Sequence, residues 1–144
     1  MKTFILCLCV LLASGCAAHG PLGSFCGPLP EQNATAAIAS DAVSIIAGLY
    51  PPGHTTLHLL AAEKADNAFA VALEKGLRAK GFILADSPAA VTVGYTLDAL
   101  EEKAVWYLQL RLTDKAGVKV IARPYTVSGL PEAGQSRSTL KEKL

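Results

Sequence analysis

Between residues 91 and 112 the chain twice alternates apolar with polar side chains, and no other feature narrows its fold as much. Val91, Val93, Tyr95 and Leu97 are interleaved with Thr92, Gly94, Thr96 and Asp98, and Trp106, Leu108, Leu110 and Leu112 repeat the period after Glu101-Glu102-Lys103. A period of two sends successive side chains to opposite sides of a strand. Both stretches therefore read as half-buried strands joined by a turn at Glu101–Lys103. Asp114-Lys115-Ala116-Gly117 closes a second hairpin into a last strand over 118–127. Such a meander needs a second layer to cover its apolar side.

The upstream sequence supplies that layer. Thr35–Leu49 is Ala-rich and sets Ile38, Ala42, Ile45, Ile46 and Leu49 on one helical face, and Pro51-Pro52-Gly53 stops it. Thr55–Leu60 reads as a strand. A second helix is predicted over Asp66–Lys80, where Phe69, Leu73 and Leu77 recur every four residues, Asp66 suits the N-terminus and Gly81 the C-terminal cap. Phe82–Ala85 is a short strand ended by Asp86-Ser87-Pro88. The order is α-β-α-β-β-β-β. Short connections and the right-handed crossover rule put both helices on one face of a mixed, mostly antiparallel sheet, a small two-layer α+β domain over residues 35–130.

The N-terminus is of another kind. Met1-Lys2-Thr3 precedes an unbroken apolar run, Phe4–Leu12, too short for the roughly twenty residues that a spanning helix needs. It reads as a signal peptide over 1–15. The run ends in Leu12-Ala13-Ser14-Gly15-Cys16, small residues before a thiol, which resembles a bacterial lipobox although Ala13 stands where Leu is commonest. Lipidation of Cys16 is the expectation; ordinary cleavage with Cys16 incidental is the alternative. Two or three acyl chains would anchor the protein stably. Ala17 rather than Asp after the cysteine implies the outer membrane, periplasmic face. This segment also accounts for part of the positive mean hydropathy of +0.36. The full chain carries a net charge of +1, and loss of Lys2 would leave the mature chain neutral.

Residues 16–34 hold the lipidated cysteine and a Gly/Pro-rich stretch read as a flexible tether, with a maximum span of about 56 Å over 17–33. Leu22, Phe25 and Leu29 are too apolar for a pure spacer and dock either on a partner or on the chain's own domain. Cys26 is the one cysteine left after processing, read either as a thiol for an intermolecular bond or as functionless. Residues 131–144 form a polar tail, disordered or a short docking helix.

Chemistry finds little support. Neither a nucleophile elbow, a phosphate loop, a dinucleotide fingerprint nor a Cys-x-x-Cys pair occurs. His54 and His58 with Glu63 lack a helix to bring them together as metal ligands, and a Ser128, His58, Asp98 triad has no local signature. The chain is expected to be no enzyme, to hold neither cofactor nor metal, and, with near-zero net charge, to make no direct nucleic-acid contact. Interaction is better supported. Val105 and Tyr107 are apolar on the side opposite Trp106 and Leu108, where a singly covered sheet should be polar. With Gln109 and Arg111 beyond, they form a candidate partner patch; isolated exposed apolar residues covered by the linker are the alternative. Pro124, in Arg123-Pro124-Tyr125, marks an edge or bulge of the last strand, open to β-augmentation or protected from it.

Several stretches together resemble the TrbH family of conjugal-transfer lipoproteins. They are the lipobox and short linker, the helix containing Asp41-Ala-Val-Ser, and Pro51-Pro-Gly-His-Thr-Thr-Leu-His-Leu. The likeness continues through Asn67-Ala-Phe-Ala-Val-Ala-Leu-Glu-Lys-Gly-Leu-Arg-Ala-Lys-Gly-Phe to Arg123-Pro-Tyr-Thr-Val-Ser-Gly. The resemblance implies a structural or assembly role in the mating-pair-formation apparatus, a type IV secretion system. Its partners would be other channel subunits and the membrane, and it transfers Cys16 as the lipidated residue and no catalytic ones. A pilotin-like or assembly lipoprotein of another envelope machine is the alternative, and a small-molecule-binding lipoprotein a third.

Overall fold

The computed structural model describes residues 23–60, 62, 67–100, 105–134 and 137–142. Expectations for 1–15, Cys16, Leu22, Glu63, Asp66 and the Glu101–Lys103 turn fall outside them.

The elements are β1 (Phe25–Cys26), α1 (Gln32–Leu49), β2 (Thr56–Leu59), α2 (Ala68–Ala79), β3 (Ile83–Leu84), β4 (Val91–Leu100), β5 (Val105–Asp114), β6 (Gly117–Tyr125) and β7 (Arg137–Glu142). From α1 to β6 the predicted α-β-α-β-β-β-β order holds, and the fold is the expected α+β. The sheet runs β3-β2-β4-β5-β6-β7, with β1 also paired to β4. β1 and β2 lie parallel to β4, while β4, β5, β6 and β7 are successively antiparallel.

Register defines two faces. Tyr95 pairs with Leu110, and Leu110 with Ile121. Arg123 and Tyr125 share that side, as does Asp114. Both helices pack on it. From α1, Asp41 reaches Arg123 and Tyr125, and Tyr50 just past its end reaches Asp114; from α2, the Phe69 ring meets Tyr95 edge-on at 4.9 Å between centroids. The core is Ile38, Ala42 and Ile46 of α1, Phe69, Leu73 and Leu77 of α2, and Leu57, Val93, Leu97, Leu108, Leu110 and Leu112 of the sheet. Completely burying each large side chain is worth about 1.5–3 kcal/mol. The helices cross closely because Gly76 offers no side chain: a Cβ there would stand 2.7 Å from Val43 Cγ2.

Several boundaries differ from expectation, among them the starts of both helices and the ends of the long hairpin strands. α1 starts at Gln32, three residues before Thr35. α2 starts at Ala68, and its cap is Asn67, whose Oδ1 accepts from the Ala70 N–H at 2.7 Å. β4 and β5 run on to Leu100 and Asp114, lengthening the hairpin.

Two corrections are larger. The stretch read as a flexible tether is folded from Gly23 onward: Phe25 pairs with Thr96 and Cys26 with Leu97, the Gly27 N–H donates to the Leu97 carbonyl at 2.9 Å, and Cys26 packs against the core together with Leu29, which thus docks on the chain's own domain. The tail read as disordered or helical supplies β7, paired with β6 from Gly117↔Glu142 to Ala122↔Arg137. Both pieces satisfy backbone groups that β4 and β6 would otherwise leave open, a demand that arises only once the sheet exists. β6 is therefore interior over 117–122, and the β7 ladder leaves its flank only beyond Ala122, where Pro124 lies. Pro124 sits past the end of β7, where its missing N–H breaks no β6–β7 ladder bond, and its carbonyl accepts from Glu132 N–H at 3.0 Å.

The helix-free face of the sheet as candidate functional site

Because side chains alternate, Val105, Tyr107, Gln109 and Arg111 all project from the side of β5 opposite the helices. Register places Tyr107 between Asp98 and Pro124, Gln109 between Thr96 and Ala122, and Arg111 between Gly94 and Val120. Val105 faces Leu100, itself 49% exposed, and Phe25 extends the row from β1 at 41%. Gln109 is exposed, and Val105, Tyr107 and Arg111 are half-buried. The predicted patch is thus one continuous surface, apolar toward the β4–β5 turn and polar toward the other end. Trp106, on the helix side, packs against the core.

Arg111 does more than line this surface. Its Nη2 donates to the Gly23 carbonyl at 3.3 Å, crossing β4 where Gly94 carries no side chain. A Cβ on Gly94 would lie 3.0 Å from Arg111 Nη2 and 3.4 Å from Leu60 Cδ1. A lone glycine inside an alternating strand is the sequence signal for such a close approach, and its consequence was not legible without the partner strand.

The polar contacts on the helix side are structural ties. Asp41 accepts from Arg123 Nη1 at 2.7 and 3.0 Å and from the Tyr125 hydroxyl at 2.6 Å. Burial first, then the hydrogen bond to the Asp41 carboxylate, pushes the Tyr125 hydroxyl far above its ordinary pKa. Asp41-Ala-Val-Ser and Arg123-Pro-Tyr-Thr-Val-Ser-Gly, two stretches that carry the family resemblance, thereby meet across the fold. Gly129, at φ 81°, ends the second one with its Cα side pressed on Ala34. At the other end of α1, Tyr50 donates to Asp114 Oδ2 at 2.7 Å, while Asp114 Oδ1 accepts from the Ala116 and Gly117 N–H groups and shapes the β5–β6 turn. That hydroxyl and those amides hold the Asp114 carboxyl below its usual range. Sequence reasoning missed these pairs, since nothing in the spacing joins residue 41 to 123 or 50 to 114.

The residues weighed for chemistry do not converge. His58 Nδ1 stands 3.5 Å from Asp86, Ser128 Oγ is 3.0 Å from Thr126 Oγ1, and Asp98 Oδ1 accepts from the Ala99 N–H at 2.8 Å. Among the described residues no group of three His, Cys, Asp or Glu is placed to hold a metal, and no helix is long and apolar enough to cross a membrane. A broad depression of about 540 Å³ lies between residues 88–90 and the β5–β6 turn, but the Asp114 carboxylate on its wall is already engaged by Tyr50 and the turn.

No curated protein and no solved structure matches the chain. The model of the conjugal transfer protein TrbH family matches it over residues 19–140. That range takes in both helices, β1 to β6, the helix-free face and the Asp41–Arg123–Tyr125 tie, so the chain belongs to the TrbH family of conjugal transfer proteins.

Proposed function

We propose that this protein is a lipoprotein of the outer membrane, facing the periplasm, that serves as a structural or assembly component of a conjugative type IV secretion apparatus. The family match over 19–140 carries the reading. Its anchor is lipid on Cys16, supported by the apolar run before it and the small residues between. Its partners are other subunits of the secretion channel, met through Val105, Tyr107, Gln109 and Arg111 on the helix-free face. Tyr107 and Arg111 are of the residue types that protein interfaces favour. The role is one of contact: no reaction, cofactor or nucleic acid is assigned to it.

The test is complementation of a donor strain lacking the gene. Wild type is expected to restore plasmid transfer, and a Val105→Asp/Tyr107→Asp variant to leave it at least a hundredfold lower at equal protein level. Half-buried strand positions on a free face tolerate such changes at about 1–2 kcal/mol, so the variant should remain folded. Unchanged transfer in the deletion strain would refute the role, and full rescue by the variant would refute the patch. Palmitate labelling that persists in Cys16→Ser would refute the anchor.

A further inference from the structure

Arg111 is a cation that the fold positions without neutralising. Its Nη2 donates to the Gly23 carbonyl, and no other hydrogen bond or ion pair to its side chain occurs among the described residues. That carbonyl is a fixed point. β2 and β4 part after Leu59↔Val93, and the Ser24 hydroxyl fills the fork, donating to the Leu60 carbonyl at 2.7 Å and accepting from the Tyr95 N–H at 3.1 Å. Asp98, the acid that β4 carries on the helix-free side, stands four residues along the strand from Gly94, about 13 Å away. Its Oδ1 is taken by the Ala99 N–H.

The uncompensated charge sits in a recess. A cleft of about 220 Å³ opens around Arg111, with Gln109 and Thr96 beside it and Gly23, Gly94 and Val120 in the lining. A guanidinium, an amide and a hydroxyl all donate hydrogen bonds, and no acidic residue lines the cleft. Register adds charge of the same sign. Arg137 stands opposite Ala122, in the row of Gln109 and Thr96, and Lys141 opposite Val118, in the row of Thr113 and Thr92. Along β4 to β7 this face thus carries Arg111, Arg137 and Lys141 against Asp98, which lies toward the β4–β5 turn. The other half is basic.

We propose that the cleft receives a carboxylate from an acidic segment of the partner subunit and that Arg111 grips it in a two-pronged pair. The inference rests on the reading that a subunit of the secretion apparatus docks on this face. A planar guanidinium matches the two oxygens of a carboxylate, and its hold on Gly23 sets it in place before the partner arrives. Arg137 and Lys141 draw the acidic segment toward the cleft. Two features favour a protein over an anionic bilayer. Arg111 is laid back across Gly94, where one projecting side chain reaches it and a flat layer of headgroups does not. Anionic lipid surfaces are gripped by clusters of roughly four to eight basic residues. Here the three are offset by Asp98 and share their face with Phe25, Leu100, Val105 and Tyr107, apolar area that a partner protein buries.

The test runs in donor cells making the full chain. A photo-crosslinking residue in place of Gln109 is expected to trap a subunit of the transfer apparatus, at a site within a few residues of an Asp or Glu. Arg111→Glu and Arg111→Gln, the second keeping a donor near Gly23, are expected to lower adduct yield and plasmid transfer about tenfold or more at equal protein level. Lys75→Glu, the same reversal at an exposed position of α2, is expected to change neither. Exchanging the mapped acid for Arg is expected to restore transfer to Arg111→Glu, a rescue that a misfolded variant would not allow. Adducts with lipid alone, a mapped segment free of acidic residues, or a failed exchange would overturn the carboxylate pair. Full transfer by both Arg111 variants, with Val105→Asp/Tyr107→Asp still defective, would overturn it and leave the docking face standing. Full rescue by Val105→Asp/Tyr107→Asp with no protein adduct at 109 would instead remove the face on which it rests.

Discussion

Replacing Asp41 with Ala removes the one carboxylate that ties α1 to β6. Side-chain exposure is 22% for Asp41 and 25% for Arg123, so neither charge is fully solvated, and Tyr125 is completely buried. The variant leaves the Arg123 guanidinium without this anion and the Tyr125 hydroxyl without its acceptor. Truncating one partner of a fully buried pair costs about 3–5 kcal/mol, and partial exposure lowers that. Stranding a buried hydroxyl adds about 1–3 kcal/mol. Together a loss of about 3 kcal/mol is expected, a fall of about 10 °C in melting temperature for a domain of this size. Trp106, the sole tryptophan, stands opposite Tyr125 in the β5–β6 register. Its emission can follow urea unfolding, with far-UV circular dichroism checking that the transition is two-state. Tyr125→Phe alone should cost about 1–2 kcal/mol, and distinctly less in the Asp41→Ala background, where its partner is already gone. A loss below about 1 kcal/mol for Asp41→Ala, or additive losses in the double variant, would refute the claim that this cluster joins the two layers.

The same cluster contributes to the alkaline limit, together with Tyr50 and Tyr95, whose hydroxyl pKa values burial also raises. The Tyr125 hydroxyl is held protonated well above its ordinary value near 10, so its share of stability is complete below pH 10 and is lost as pH rises beyond it. Each further pH unit costs about 1.4 kcal/mol for this group, and Tyr125→Phe should flatten that slope in urea titrations at pH 9–11. Gly129→Ala combines a left-handed backbone with a Cβ 2.5 Å from the Ala34 carbonyl oxygen, so a loss of about 2–3 kcal/mol is expected by thermal denaturation. Asn67→Ala deletes the α2 cap and the Nδ2 hydrogen bond to the Tyr95 hydroxyl at 3.1 Å, and should cost about 2 kcal/mol with faster amide exchange in the first turn of α2.

Reading residues in order recovers the elements whose information is local. The alternation from Val91 to Leu112 located β4 and β5, and the four-residue recurrence of Phe69, Leu73 and Leu77 located α2, because in each case the repeat is the geometry of the element. It also put Val105, Tyr107, Gln109 and Arg111 on a single side. Ser24-Phe25-Cys26-Gly27 between glycines and prolines has no period, and Arg137–Glu142 reads as a polar tail, yet both are strands.

Sequence by itself therefore determined the class of fold, the two-layer arrangement and which face of β5 is left uncovered, since hydrophobic period and turn residues act within a few positions of one another. Tertiary structure decided the rest. Only assembly of the sheet opens the fork between β2 and β4 that Ser24 fills, exposes the β6 flank that β7 takes, and brings Asp41 against Arg123 across 82 residues. Each of these satisfies hydrogen-bonding groups or charges that become unsatisfied through folding, and such a requirement leaves no periodic trace in the chain that meets it.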